Sequence, residues 1–165
     1  MRTCLIIIGV ISSIFIVVII ILAALAFNAV KPMLAMEKNA RQFVTTSITA
    51  VTRHWQLQPL LNRAYPGYKA QLLKNDFGER LFIEYRKLGA LKKLDPPIGV
   101  VFSGLSSQFG QKTTGQFTDT GTFKNGRATI TVKLIKADKT WQIYSFSIIS
   151  NAFLPVLPPT ATLPK

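Results

Sequence analysis

The hydrophobic pattern divides the chain into three stretches with different periods. From Cys4 to Phe27 no charged residue occurs, and 17 of the 23 residues from Leu5 to Phe27 are Leu, Ile, Val or Phe. As a helix such a run is about 35 Å long, against a hydrocarbon core of about 30 Å. Its aliphatic side chains favour insertion by about 5–10 kcal/mol. The pattern predicts a transmembrane helix over 5–27, after a short tail at 1–4 and before a linker at 28–32. A cleaved secretory signal is the competing reading, with Arg2 as its basic n-region and Ala24-Leu25-Ala26 as its cleavage site. The run exceeds the roughly 7–15 residues of a signal h-region, so retention is expected.

After the linker the period changes to that of an amphipathic helix. Met36, Ala40, Phe43, Val44, Ile48, Val51 and Trp55 recur at spacings of three and four, which predicts a helix from Met33 to about Leu61 interrupted at Gln58-Pro59. Beyond Pro59, Leu60 to Ala64 reads as a short helical turn, and Tyr65-Pro66-Gly67 as a turn. Leu73, Phe77, Leu81, Tyr85 and Leu88 predict a second helical region over 70–88, with a break at Asn75 or Asp76 and Gly89 in the left-handed position that ends it. Leu91 to Pro97 reads as a connector, since the double proline forbids helix.

From Ile98 the period falls to two. Strands are expected at 98–103, 113–123, 128–134 and 141–149, with Gly104 to Gln111 as a loop. Asn125-Gly126 is a hairpin signal, and Ala137-Asp138-Lys139 a second turn. In the last strand Trp141 and Ile143 have one parity while Tyr144, Phe146 and Ile148 have the other, which predicts a bulge or burial on both faces. Helices followed by an antiparallel meander define an α+β domain over 33–150, its helices packed on one face of a curved four-stranded sheet. The four prolines of LPVLPPTATLPK leave a proline-rich tail at 151–165 outside any helix or central strand.

Charge changes this picture most. The net charge is +13, and after the apolar run 19 basic residues face 7 acidic ones. Such a field attracts nucleic acid, anionic lipid headgroups or acidic protein surfaces. The run Arg86-Lys87-Leu88-Gly89-Ala90-Leu91-Lys92-Lys93 has no aromatic among its charges, which argues against nucleic acid. Lys31, Lys38, Arg41, Arg86, Lys87, Lys92 and Lys93 are the candidate contacts with lipid headgroups or an acidic partner, each near-surface cation contributing about 1 kcal/mol. Arg86 and Lys87 also complement the dipole of a helix C-terminus. Gly9, Ser12 and Ser13 are small residues on an Ile/Val-rich helix and are the candidate intramembrane helix contact. The positive-inside rule is balanced between Arg2 and the cations after the span. A very short N-terminal tail usually stays cytoplasmic, which places the domain in the periplasm of a bacterial inner membrane.

Trp55, Leu60, Leu61, Ala64 and Pro66, then Arg86-Lys87-Leu88-Gly89, Phe123-Lys124-Asn125-Gly126 and Trp141-Gln142-Ile143, make residues 38–150 resemble small bacterial membrane-anchored proteins of unknown function with a cystatin-like or NTF2-like extracytoplasmic domain. That resemblance rests on turn and core residues. It implies helices against a curved sheet, and a superfamily that includes pocket enzymes, small-molecule binders and membrane-anchored assembly modules.

Candidate chemistry is sparse. The only cysteine, Cys4, lies at the start of the apolar run, so no disulfide framework or thiolate metal site is available. The only histidine, His54, sits beside Arg53 on the polar side of the first helix with no ligand partner in view. Neither a Gly-x-Ser-x-Gly elbow nor a phosphate-binding loop with its lysine occurs. Asp76, Asp95 and Asp138 fall at caps or turns, and Glu79 and Glu84 have basic neighbours. Asp119 interrupts a strand and shares parity with Phe117 and Phe123. On a concave face it would be a pocket acid, with Tyr144 as a second pocket residue; on an edge strand it would face water. No cofactor or metal is implied. The combined expectation is a non-catalytic accessory or assembly subunit of an inner-membrane complex, the alternative being a tethered module that binds a small apolar or anionic ligand.

Overall fold

A computed structural model describes residues 33–106, 110–138 and 140–153, and the side chains within them outside 105–111. The chain divides into two compact units, Met1–Lys38 and Asn39–Lys165. Residues 33–38 of the first are helical. The expected transmembrane helix at 5–27, with Gly9, Ser12, Ser13 and Lys31, lies outside the described residues. Among those described, no helix is long and apolar enough to cross a membrane.

Helix α1 runs through residues 33–52. Ala40, Val44, Ile48 and Val51 are its fully buried stripe, as the spacing predicts. Its β-branched residues are accommodated because Thr46, Thr49 and Thr52 donate their hydroxyls to Gln42, Thr45 and Ile48 carbonyls at 3.0, 2.8 and 2.9 Å. Thr52 is thereby buried without an orphaned hydroxyl. The helix ends at residue 52, short of the expected Leu61, and Trp55 adopts φ 50°. A left-handed tryptophan is held there by its ring. Nε1–H donates to the Gly89 carbonyl at 2.7 Å, and the indole packs on Phe123 and Tyr85 at centroid distances of 5.4 and 6.2 Å.

A short helix α2 (Gln58–Leu61) follows, and α3 (Pro66–Leu73) starts four residues earlier than Ala70. Pro66 and Gly67 are its first turn rather than a reverse turn, because proline's fixed φ suits the first helical position. A 3₁₀ segment, Lys74–Asp76, then breaks the path. Asn75 and Asp76 take φ of 52° and 56°, which short polar residues tolerate best. That break rotates the following helix α4 (Phe77–Arg86). The buried stripe becomes Leu72, Phe82, Tyr85 and Leu88, while Leu73 and Phe77, expected inside, are exposed. Gly89 ends the helix at φ 73°, as expected.

Five antiparallel strands follow: β1 (Leu91–Leu94), β2 (Ile98–Ser106), β3 (Gly110–Phe123), β4 (Gly126–Ala137) and β5 (Thr140–Ile149). The expected sheet had four strands; the stretch read as a connector contains β1, and much of the expected loop at 104–111 belongs to β2 and β3. Pro96 and Pro97 split one edge in two. β1 pairs with Gly121 to Phe123 and β2 with Gly110 to Thr118, both along the same side of β3. β4 and then β5 complete the sheet. The β3–β4 turn is Lys124-Asn125, one residue before the expected pair, with Phe123 opposite Gly126. It also closes the end of α4: Asn125 Nδ2 donates to the Lys87 carbonyl at 2.7 Å and its amide to that of Leu88 at 3.0 Å. The parity change in β5 is a bulge. Lys133 pairs with Ser145 and Leu134 with Ile143, so Tyr144 is the extra residue.

One sheet face carries most of the core: Phe117 and Phe123 of β3, Ala128, Ile130, Val132 and Leu134 of β4, Ile143, Phe146 and Ile148 of β5; Ile135 of β4, on the opposite face, is also buried. The helices pack on it through Trp55 against Phe123 and Tyr85 against Phe146.

Candidate functional site: the two sheet edges and the buried Asp119

A sheet edge presents unpaired N–H and C=O groups that something must satisfy. At β5 the helices do this. The Phe146 amide donates to Tyr68 Oη at 3.2 Å, and the Ile148 amide to Tyr85 Oη at 3.3 Å. Tyr65 N donates to the Ile143 carbonyl and Ile143 N to that of Arg63, each at 2.8 Å. Burial pushes the Tyr68 phenol up to about 12 and raises that of Tyr85, so both hydroxyls stay neutral over the physiological range.

The opposite edge is treated differently. Arg41, half-buried on α1, donates Nη1 to the Pro97 carbonyl and Nη2 to that of Gly99, the latter at 3.2 Å, and its guanidinium lies 5.8 Å from the Phe117 ring centre. Arg41 is therefore committed within the domain, holding the head of β2. Further along, Ile98, Val100 and Phe102 are 78%, 50% and 59% exposed. They alternate along β2 and share the sheet face directed away from the core. β2 contains no charged residue.

The remaining sequence candidates are dispersed. Lys38 is exposed on the part of α1 that belongs to the first unit. Arg86 lies 3.9 Å from Glu79 and donates Nε to the Trp55 carbonyl at 3.2 Å. Lys87 pairs with Glu84 at 2.5 Å, and Lys93 with Asp95 at 2.8 Å. The Lys93 ammonium, hydrogen-bonded to the Asp95 carboxylate, holds it below its ordinary range, with help from Arg127 3.9 Å away. Lys92 is exposed and makes no ion pair among the described residues. His54 is exposed, as expected, but in the turn after α1 rather than on the helix.

Asp119 is neither on an edge nor facing water. It lies on the core face of β3 between Phe117 and Phe123, opposite Ile130 of β4, and on its other flank it falls in the gap between the pairings of β2 (to Thr118) and β1 (from Gly121); 2% of its surface is exposed. Both carboxylate oxygens are without a hydrogen-bond partner. Burial pushes this carboxyl up to about 6, the Asp95 charge adds to the rise, and the nearby Thr120 amide opposes it. Tyr144 is half-buried at the β5 bulge. Through the ladder Asp119 is level with Ile148, so Tyr144 is about four residues, or about 13 Å, away along the strands. The fold does not bring the two pocket candidates together.

Five surface clefts of 350 to 730 Å³ lie elsewhere, and neither Asp119 nor Tyr144 lines any of them. The largest runs between α2, α3 and Gln142. Another, beside the far end of β2, is lined by Ser103, Lys112, Thr113, Lys136 and Asp138. Among the described residues no three His, Cys, Asp or Glu side chains cluster as metal ligands. Sequence reasoning missed the tyrosines that close β5 and the arginine that holds β2. Tyr68 and Tyr85 carried one signal, being long amphipathic side chains on helices that must pack over a sheet. No protein-family model matches the chain, and no curated protein matches it.

Proposed function

We propose that the chain is a non-catalytic accessory or assembly subunit of an inner-membrane protein complex. One helix at 5–27 anchors it, and a basic domain with a cystatin-like or NTF2-like arrangement stands on the periplasmic side. The observation that carries this reading is the charge-free run of 23 mostly aliphatic residues joined to a domain with 19 basic and 7 acidic residues. Its partners are the integral subunits of the complex and anionic lipid headgroups, with no nucleic acid and no cofactor. Two features of the domain support it. The buried acid lines none of the clefts, and several cations, Lys92, Lys112 and Lys124 among them, are exposed. The proline-rich tail is read as an extended segment lying along a partner; its first residues, Asn151–Phe153, form a 3₁₀ turn whose Phe153 stacks on Tyr85 at 5.9 Å.

The test is extraction and capture. The protein is expected to resist alkaline carbonate, to retain its N-terminus, and after mild-detergent extraction to migrate with partners identifiable by mass spectrometry. Release by carbonate, or an N-terminus at Phe27, sinks the anchor. A free 18.3 kDa species in mild detergent sinks the complex.

A further inference from the structure

The exposed apolar edge at β2 has a place in the tethered arrangement. We infer that the β2 edge, through Ile98, Val100 and Phe102, docks edge-on into the interface of a bilayer carrying anionic headgroups; this rests on the membrane reading above. Two independent features of the domain choose lipid as the occupant.

The first is where the tether arrives. The chain enters the second unit at Asn39, two residues before Arg41, and Arg41 holds the Pro97 and Gly99 carbonyls at the head of β2. The point of covalent attachment is therefore next to the residue that holds the head of β2. Thirteen residues lie between Phe27 and Arg41, and those from 33 onward are helical, so the reach from the end of the apolar run is at most about 33 Å. The β5 edge is three strands further off and is closed by tyrosines.

The second is charge. Ile98, Val100 and Phe102 pair with Thr118, Gln116 and Thr114, and share their sheet face with Lys112 and with Lys133, which pairs with Gln116. Strand residues of this face include no Asp or Glu among the described residues. An uncharged apolar strip flanked by lysines fits acyl chains below and phosphates above. A second copy of the chain would bring the same Lys112 and Lys133 to the seam, on a molecule that also carries a net +13.

The experiment uses the full chain with Cys4→Ser, reconstituted in phosphatidylethanolamine–phosphatidylglycerol vesicles that contain nitroxide-labelled acyl chains. Single cysteines carry an environment-sensitive fluorophore at Phe102→Cys, Val100→Cys or, as the control on α3, Gln71→Cys. The expected result is strong nitroxide quenching at 102 and 100, little at 71, and loss of that difference when phosphatidylglycerol is omitted or when Lys112→Gln and Lys133→Gln are combined. Because positions 100 and 102 are exposed, two independent labels guard against a local folding defect at either. Equal, weak quenching at all three positions in carbonate-resistant protein overturns the docking and leaves the anchor standing. Shielding of 102 from aqueous iodide without nitroxide quenching means that β2 faces protein, and also overturns it. Release by carbonate removes the tether and this inference with it.

Discussion

Removing the charge of Asp119 is expected to abolish a pH dependence of stability that the wild-type domain carries. The carboxyl is 2% exposed, its oxygens lack hydrogen-bond partners, and burial raises it from 3.8 to about 6. The folded state therefore binds its proton more tightly than the unfolded state does. Stability is greatest below the unfolded value, falls as pH rises from about 4 to about 6, and stays reduced above that. At 1.36 kcal/mol per unit, a rise of that size makes the ionised form cost about 3 kcal/mol. Asp119→Asn keeps the shape and removes the titration, although the buried amide brings its own penalty of about 1–3 kcal/mol. That penalty does not change with pH. The quantity to measure is thus the difference between variant and wild type, from urea unfolding of the full chain in mild detergent at pH 4 to 8. It should move in favour of the variant by about 2 kcal/mol between pH 4 and 7, whatever its starting offset, because part of the change already lies below pH 4. Groups that do not interact with Asp119 are present in both proteins and cancel; Asp95, whose charge Asp119 feels, contributes a smaller part. A flat difference across this range would mean that the carboxylate is hydrated in the folded state, and the reasoning would fail.

Two substitutions test the packing that positions the edge and the helix end. Gly99→Ala places a methyl 2.1 Å from the Gln116 carbonyl and 2.7 Å from Phe117 Cα, both backbone atoms that cannot swing away. It should destabilise by at least the upper part of the about 1–3 kcal/mol range for overpacking, whereas Gly104→Ala, with nothing within 4 Å, should be close to neutral; thermal melts of both distinguish a local clash from a general intolerance of β2. Trp55→Phe removes the 2.7 Å hydrogen bond to Gly89 while keeping an aromatic ring, and should cost about 1–3 kcal/mol in urea unfolding followed by circular dichroism.

The elements that were legible in the chain are those whose pattern repeats long enough to override local exceptions. β4 alternates through Ala128, Ile130, Val132 and Leu134, and all four are buried. α1 buries Ala40, Val44, Ile48 and Val51 at the expected spacing, and the parity conflict of β5 is a bulge at Tyr144. Where the reading failed, one or two residues in unusual backbone conformations had redirected the chain. Trp55, left-handed and anchored through its ring to Gly89, Phe123 and Tyr85, lies just past the early end of α1. Asn75 and Asp76, both left-handed, broke the helix so that α4 buries Phe82 in place of Phe77, while α3 before the break buries Leu72 rather than Leu73. β1 is four residues long, too short for a period to register, and exists only because Gly121 to Phe123 offer it an unpaired side. Asp119 was legible by parity but not by environment. Its strand is interior because β1 and β2 flank it on either side of the Asp119–Thr120 gap, a fact of pairing that no local pattern contains.

The same accounting of polar groups explains why the candidate surface falls at β2 and not at β5. A five-stranded sheet covered by helices on one face has two edges to close, and a closed edge needs donors and acceptors aimed at particular backbone groups. At β5 the domain supplies them from α3 and α4 with phenols that burial keeps neutral, so the edge is closed under any physiological pH. At β2 it supplies one guanidinium, spent on Pro97 and Gly99, and leaves the next residues with an apolar, charge-free face outward. Exposed edges of this kind are an aggregation hazard unless they meet a partner or are blunted by charge. Here the strand carries no charge. A chain bearing 20 basic residues had lysines to spare for it, yet Lys112 and Lys133 stand on the neighbouring strands of the same face. The arrangement lets the lysines repel a second copy within about 8–10 Å while keeping the strip itself apolar, a combination that suits the lipid docking proposed above.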